Sequence, residues 1–593
     1  MILQSLARYY EILAEDENSE IPRRGYSRTG VSFALNISKD GELLGVIPLR
    51  IQSYNGKKMV PQSMVVPEQE KKSVGIKSNF LCENSSYLLG IDNNGKPERT
   101  KKCFEAFKEL HYKVLEKVEC IEAKALLNFI TNWEIDNALQ HIALKDCLED
   151  ITSGANIVFR LDGVGYLHQK KEIQRAWEEH KSGFEGSKRM QCLDCGEDAN
   201  VARLHPNIKG VRGAQSVGAA IVSFNAKAYE SYGREDEQGL NAPVSEYAAF
   251  AYTTVLNCML TDNAHKQYLG DTTVVFWAES PQKLYQDMAS LFIDPGELEV
   301  GENSKYARDM GAVKEVKAIF EKVSTGLAIG DISGAIDKNV KFYILGLAPN
   351  AARLSVRFFI VDNFGNFVSK VSKHYQDLRI EKQFESDKEI FSLWRLLNET
   401  VSPKANDKAT SPLLSGAVLR SILTGTPYPT ALFNSIMVRI RAERDINYYK
   451  AAIIKAYLLR NSKKFREVLT MSLNEESDNR AYILGRLFAV LEKAQQDASD
   501  GQLKSTIKDK YFTSACATPA SVFPVLLRLS QHYISKAEFG KANDIRISKI
   551  LEKLEIEQNP IPTHLPLDEQ GVFVLGYYHQ KNALYRKNNE KEN

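Results

Sequence analysis

The run Glu399-Thr-Val-Ser-Pro-Lys-Ala-Asn-Asp-Lys-Ala-Thr-Ser-Pro412 divides this chain into two halves of different character. It is polar, punctuated by prolines and poor in large apolar residues, which is the composition of a linker. Beyond it strand signals nearly vanish. Residues 412–424, 430–442, 446–461, 478–498, 520–537 and 540–554 follow helical periodicity, which predicts an all-α bundle over 413–593. Before it, Val31-Ser-Phe-Ala-Leu-Asn-Ile and Leu43 to Ile51 flank Ser38-Lys-Asp-Gly-Glu, a hairpin signal with Asp-Gly at the turn. Lys341–Leu347 and Leu354–Val361 flank Ala348-Pro-Asn-Ala in the same way. The expected fold is therefore α+β: a mixed N-terminal α/β region over 1–400 with antiparallel hairpins, a linker at 401–412, and a C-terminal helical bundle.

Within the first half, Arg203–Asn257 is the densest stretch. Gly210, Gly213 and Gly218 bracket Lys209, Arg212 and Gln215, so a chain free to take positive φ carries cations and an amide at its bend. That combination suits a polyanion. Val217–Phe224 reads as a buried strand, and Asn241-Ala-Pro-Val-Ser-Glu opens a helix with Asn241 or Ser245 as its cap. Upstream, residues 56–90 alternate cations with amides and hydroxyls, among them Lys71, Lys72, Lys77, Asn79 and Asn84. Lysines neutralise phosphates and amides read base edges, so this stretch is the candidate duplex-reading surface.

The chain carries 77 Lys and Arg against 75 Asp and Glu, so no global field draws it to nucleic acid and any such site is a local patch. Asn434–Glu467 is such a patch, with nine cations against three acids. Ile446, Tyr449, Ile453 and Ala456 occupy one helix face, which predicts that Lys450, Lys455 and Arg460 emerge beside or opposite it as a phosphate-tracking groove.

At 593 residues the chain has room for about two to four domains. Its apolar stretches fall short of the ~18 residues a membrane span needs, and Met1–Glu17 lacks a signal-peptide pattern, so a cytoplasmic protein with no membrane partner is expected. Six of the eight cysteines stand alone; only Cys192 and Cys195 form a C-x-x-C pair, with His205 the nearest histidine and no evident fourth ligand for zinc. No phosphate loop, H-E-x-x-H or G-x-S-x-G occurs. No catalytic residue, metal or cofactor is expected; the alternative is a metal-dependent nuclease built from dispersed carboxylates, and a zinc-bearing interaction module is a third reading.

The runs ARLHPNIKGVRGAQSVGAAIVSFN, NAPVSEYAAFAYTTVLN, LAPNAARLSVRFF (Leu347–Phe359) and RAERDINYYKAAIIKAYLLRN (Arg441–Asn461) resemble the large subunit of type I-C CRISPR Cascade complexes, and the likeness extends over nearly the whole chain. The resemblance implies a protein that clasps the 5′ end of CRISPR RNA, reads the protospacer-adjacent motif on double-stranded target DNA, helps open the R-loop beside the other Cascade subunits, and presents it to a helicase-nuclease. It places motif reading in IKSNFLCENSSYLLG (Ile76–Gly90), at Lys77, Asn79 and Asn84. It assigns nucleic-acid backbone contacts to Lys71, Lys72, Lys209, Arg212 and Gln215, and the displaced non-target strand to Arg441, Arg444, Lys450, Lys455 and Arg460. It also implies that the helical half is made a second time from an internal start, at Met471 or Met437.

Overall fold

The computed structural model describes every residue except 17–18, 20, 53–58, 70–74, 94, 183–187, 225, 232, 235–236, 294–317, 320, 324–335, 389, 391, 406–409, 500–502, 504, 539, 557–559 and 590–593. The chain forms two compact units: Met1–Ile208 with Val222–Cys258, and Lys209–Ile221 with Met259–Asn593. The described residues of the expected linker, 401–405 and 410–412, lie inside the second unit.

In the first unit the Asp40-Gly41 turn closes a hairpin between Phe33–Ile37 and Leu43–Pro48. Gly41 takes φ +88°, and a Cβ there would sit 2.4 Å from the Phe129 nitrogen, so no other residue fits the turn. Phe33–Ile37 then pairs in parallel with Ile157–Leu161, which also carries the short strands Cys82–Glu83 and Gly165–Tyr166. A separate antiparallel sheet joins Tyr26–Val31, Met59–Pro67 and Arg50–Gln52. Helices Pro97–Leu115, Ile121–Asn132 and Lys171–Ser182 supply Phe107, Phe129 and Trp177 to a core shared with Leu35, Ile37 and Phe159. Ser245, rather than Asn241, caps the helix Glu246–Thr261, accepting the Ala248 N–H at 3.0 Å.

The second unit holds a four-stranded antiparallel sheet in the order Lys266–Leu269, Thr272–Ala278, Lys341–Asn350, Arg353–Asn363. The strand expected at Val217–Phe224 is not formed; that run attaches to the sheet through isolated bridges, Ala220 to Arg353 among them. Its small residues lie along the sheet end without building a ladder of their own. Phe276 and Phe342 from the sheet pack with Phe364 and Phe367 of helix Phe364–Leu378, and the same core runs on through Phe433, Tyr457, Phe488 and Phe573 of the C-terminal helices. Those helices are Pro412–Thr424, Thr430–Glu443, Tyr448–Asn461, Arg480–Asp497, Ile507–Ala517, Pro519–Lys536, Gly540–Glu552 and Leu567–Asn589.

Five histidines are buried in these cores without charge. Burial pushes His111, His374 and His579 down to about 3, and His168 and His205 down to about 4. The unfolded chain takes up protons at these sites near pH 6.5, whereas the folded chain does not until pH 3–4. Stability is therefore complete above pH 6.5 and falls with pH below it, each histidine contributing at most about 2 kcal/mol of the loss by about pH 5. Denaturant unfolding at about pH 7.5 and about pH 5 measures this; equal midpoints would contradict it.

Candidate nucleic-acid interface

Ile76–Gly90 forms a rigid loop leading into the short helix Ser85–Leu88. Leu81 sits at φ +54° with its side chain fully buried, and its N–H donates to His111 Nε2 at 3.0 Å while His111 Nδ1 bonds the Phe107 carbonyl at 2.7 Å. Phe80 stacks on His111 at 4.9 Å and on Trp177 at 4.6 Å. These contacts hold a left-handed leucine that would otherwise cost ~1 kcal/mol or more.

The buried Glu83 carboxylate is the hub of the loop. It accepts the Asn79 amide at 2.9 Å, the Asn79 backbone N–H at 3.3 Å and the Asn84 N–H at 3.0 Å. Lys77, Asn79 and Asn84 are thus brought onto one loop, but with different access. Lys77 is exposed. Asn84 spends its side-chain oxygen capping the Ser86 N–H at 3.1 Å. Asn79 is only 8% exposed and its amide faces Glu83, so it positions the loop, and the expectation that it reaches a base directly is corrected. Lys71 and Lys72 lie outside the described residues.

In the second unit the glycine bend lies across one end of the four-stranded sheet. The Arg212 N–H donates to Thr273 Oγ1 at 3.1 Å, and the Ala220 N–H to the Ala352 carbonyl at 3.1 Å. Gly210 and Gly213 take φ of +89° and +80°, and a Cβ would approach Leu260 at 3.2 Å and Pro349 at 3.3 Å. The bend therefore lies close on the strand ends and turns Lys209, Arg212 and Gln215 outward, all exposed. Arg212 lies 5.8 Å from the ring centroid of Tyr268, and Lys266 5.7 Å from the same ring, which is 45% exposed. Tyr268 and Lys266 were not singled out in the sequence; the alternation of a cation with an aromatic in Lys266-Gln-Tyr was the available signal.

The expected exposure of Lys450, Lys455 and Arg460 is corrected by burial. Lys450 is 2% exposed, its ammonium 2.6 Å from Glu443 and 3.2 Å from Asp445. Lys455 is 4% exposed and donates to the Asp377 carbonyl at 3.2 Å; Arg460 pairs with the Asp377 carboxylate at 3.3 Å over the Tyr428 ring. Arg441 donates to Gln570 at 2.6 Å, and Arg444 takes φ +57° at the helix end and reaches the Arg441 carbonyl and Thr513. Helix Tyr448–Asn461 lies inside the bundle and is covered on every side over 450–458, so its cations tie elements together. In this segment Lys463, Lys464 and Arg466, just past the helix, are the exposed cations.

Among the described residues no group of three or more His, Cys, Asp or Glu is placed to hold a metal ion, and no helix is long and apolar enough to cross a membrane. His205 bonds the Tyr252 hydroxyl at 2.7 Å.

Comparison with known families decides what kind of protein carries these surfaces. The profile of the family described as CRISPR-associated protein (Cas_Csd1) matches residues 6–585. The chain belongs to the Cas_Csd1 family. It is a type I-C Cascade large subunit, as the sequence resemblance implied. No curated protein matches it.

Proposed function

We propose that this Cas_Csd1 protein binds the 5′ end of CRISPR RNA, reads the protospacer-adjacent motif on duplex DNA, stabilises the R-loop and recruits the helicase-nuclease, acting without catalysis of its own. The observation that carries this reading is the bend at Lys209–Gly218. Two cations and an amide stand outward beside an exposed tyrosine, on backbone anchored to a sheet. Cations of this kind neutralise phosphates, and the ring offers a face for an unstacked base. Base pairing with the guide reads the remaining target sequence.

The test is duplex binding by the reconstituted guide complex, with and without this chain, across randomised flanking motifs. A flanking preference that depends on the chain is expected; binding unchanged in its absence would refute the reading. Lys209→Ala and Arg212→Ala should weaken binding to all sequences alike, each lowering the salt slope by about 1. Asn79→Ala should act differently, loosening the Glu83 loop at a cost of roughly 1–3 kcal/mol and blunting discrimination between motifs. Equal losses on matched and mutated motifs would remove Asn79 and its loop from motif reading.

We also infer a second product from an internal start. Met471 lies in a loop and is 49% exposed, whereas Met437 is buried inside helix Thr430–Glu443. A start at Met471 preserves Arg480–Asp497 and every later helix whole, giving 593 − 471 + 1 = 123 residues. Intact mass of the expressed complex should contain that species; its absence together with that of a Met437 product would rule the inference out.

A further inference from the structure

The C-x-x-C pair is used by none of the surfaces above, and its geometry is specific. Cys192 and Cys195 form the tip of the hairpin Arg189–Gln191 with Asp198–Asn200. The Gly196 N–H returns to the Cys192 carbonyl at 2.8 Å and the Cys192 N–H donates to Glu197 at 2.8 Å, with Gly196 at φ +80°. A chain folded back this tightly brings residues three apart within the Cα span that a disulfide bridges. The Cys195 thiol is within hydrogen-bonding reach of the Cys192 sulfur.

The two thiols differ in their surroundings. Cys192 is 1% exposed, yet its sulfur accepts backbone N–H groups from Asp194 at 3.4 Å, from Ser245 at 3.1 Å and from Cys195. Ser245 is the cap of helix Glu246–Thr261, so the sulfur also meets the positive end of that helix. Burial raises the Cys192 pKa, but these donors outweigh it and hold the thiol below its ordinary value. Cys195 is exposed; the Glu197 N–H draws its pKa down, while burial and the neighbouring sulfur carry it above its ordinary value overall. With no third ligand among the described residues, two thiols of this kind form a redox couple in preference to a metal site.

We propose that Cys192 and Cys195 are a reversible thiol–disulfide site, oxidised by a low-molecular-weight disulfide, whose state is sensed by the start of helix Glu246–Thr261. The exposed Cys195 thiolate attacks one sulfur of the small disulfide, forming a mixed disulfide and releasing one thiolate. The Cys192 thiolate then attacks the Cys195 sulfur, closing the protein disulfide and releasing the second small thiolate. The two protons of the protein thiols end on the two released thiols, and two electrons pass to the small disulfide. Because the donors around Cys192 stabilise its thiolate, they favour the reduced form and make the bond easily reopened. Closure draws the Cys192 sulfur into the disulfide and weakens the bonds it accepts from the Asp194 and Ser245 N–H groups, so the helix start loosens.

The intact protein is equilibrated with glutathione buffers of rising disulfide content, quenched by alkylation and mapped by peptide mass, with amide hydrogen exchange on both end states. The expected result is an internal Cys192–Cys195 disulfide that forms in the folded protein and reverses with reduced glutathione, with faster exchange at Asp194 and Ser245. Cys192→Ser should instead stop at a glutathione adduct on Cys195. Thiols that stay free in excess glutathione disulfide would overturn the proposal. So would a disulfide formed only in denaturant, or zinc co-purifying at one per chain and lost in Cys195→Ser.

Discussion

Gly485→Ala should destabilise the second unit by about 3 kcal/mol or more, although alanine is the better helix former by about 1 kcal/mol. A Cβ at Gly485 of helix Arg480–Asp497 would lie 2.0 Å from the Phe573 carbonyl oxygen and 2.9 Å from the Tyr577 nitrogen of helix Leu567–Asn589. The approach is reciprocal: a Cβ at Gly576 would lie 2.2 Å from the Tyr482 carbonyl. Backbone cannot rotate aside as a side chain can, so the added methyl must push the helices apart. Separation strains Tyr482 with His579 at 2.8 Å, Arg486 with Gln580 at 3.0 Å and Tyr577 with Glu492 at 2.6 Å, all buried. Urea unfolding followed by circular dichroism gives the answer. A variant as stable as the parent would mean that these helices do not meet at their glycines.

The second large effect concerns Asp377, which is 2% exposed and serves three cations. Its carboxylate pairs with Arg460 and Lys373, and its carbonyl accepts from Lys455. Asp377→Ala leaves a buried guanidinium without its counter-charge and should cost about 3–5 kcal/mol. Lys455→Met should have the opposite sign. Burial, only partly offset by Asp377, pushes the Lys455 pKa down to about 8. The folded state therefore pays to keep this ammonium charged below about pH 8, and that cost disappears as pH rises toward the unfolded value near 10.5. Replacing it by an apolar chain should stabilise the protein at neutral pH by about 1–3 kcal/mol, with the gain shrinking above pH 8. Neither change should alter the salt slope of duplex binding. A lower slope in Lys455→Met would return this lysine to the displaced strand.

Most of the places where sequence reading and structure part company lie in buried segments. Helical periodicity located Arg480–Asp497 and Tyr448–Asn461 although 481–492 and 450–458 are buried all round, and it passed over Leu567–Asn589. Residues 571–580 of that helix are likewise buried all round, which leaves no solvent face to set a stripe against. Helix Ile507–Ala517 was passed over as well. The same burial misdirects the reading of charge: Lys450, Lys455 and Arg460 have the spacing of a solvated face but lie on a helix enclosed by neighbours. Asn79 fails similarly, since its partner Glu83 was legible only as another polar residue in a polar loop.

The sequence by itself determined what depends on neighbours along the chain. Asp40-Gly41 specifies its hairpin, the run Asn241–Glu246 a helix start, and Gly210 and Gly213 the bend that exposes Lys209, Arg212 and Gln215. The second hairpin instead turns at Ala351-Ala352, past the expected Ala348-Pro-Asn-Ala, whose first three residues stay in the strand. Turn conformation, capping and positive φ are local properties, and the long shared motifs were enough to place the family. Tertiary structure alone decided which cations stay exposed. Whether a lysine meets water or a buried carboxylate depends on residues such as Asp377, 78 positions from Lys455, and no local pattern records them.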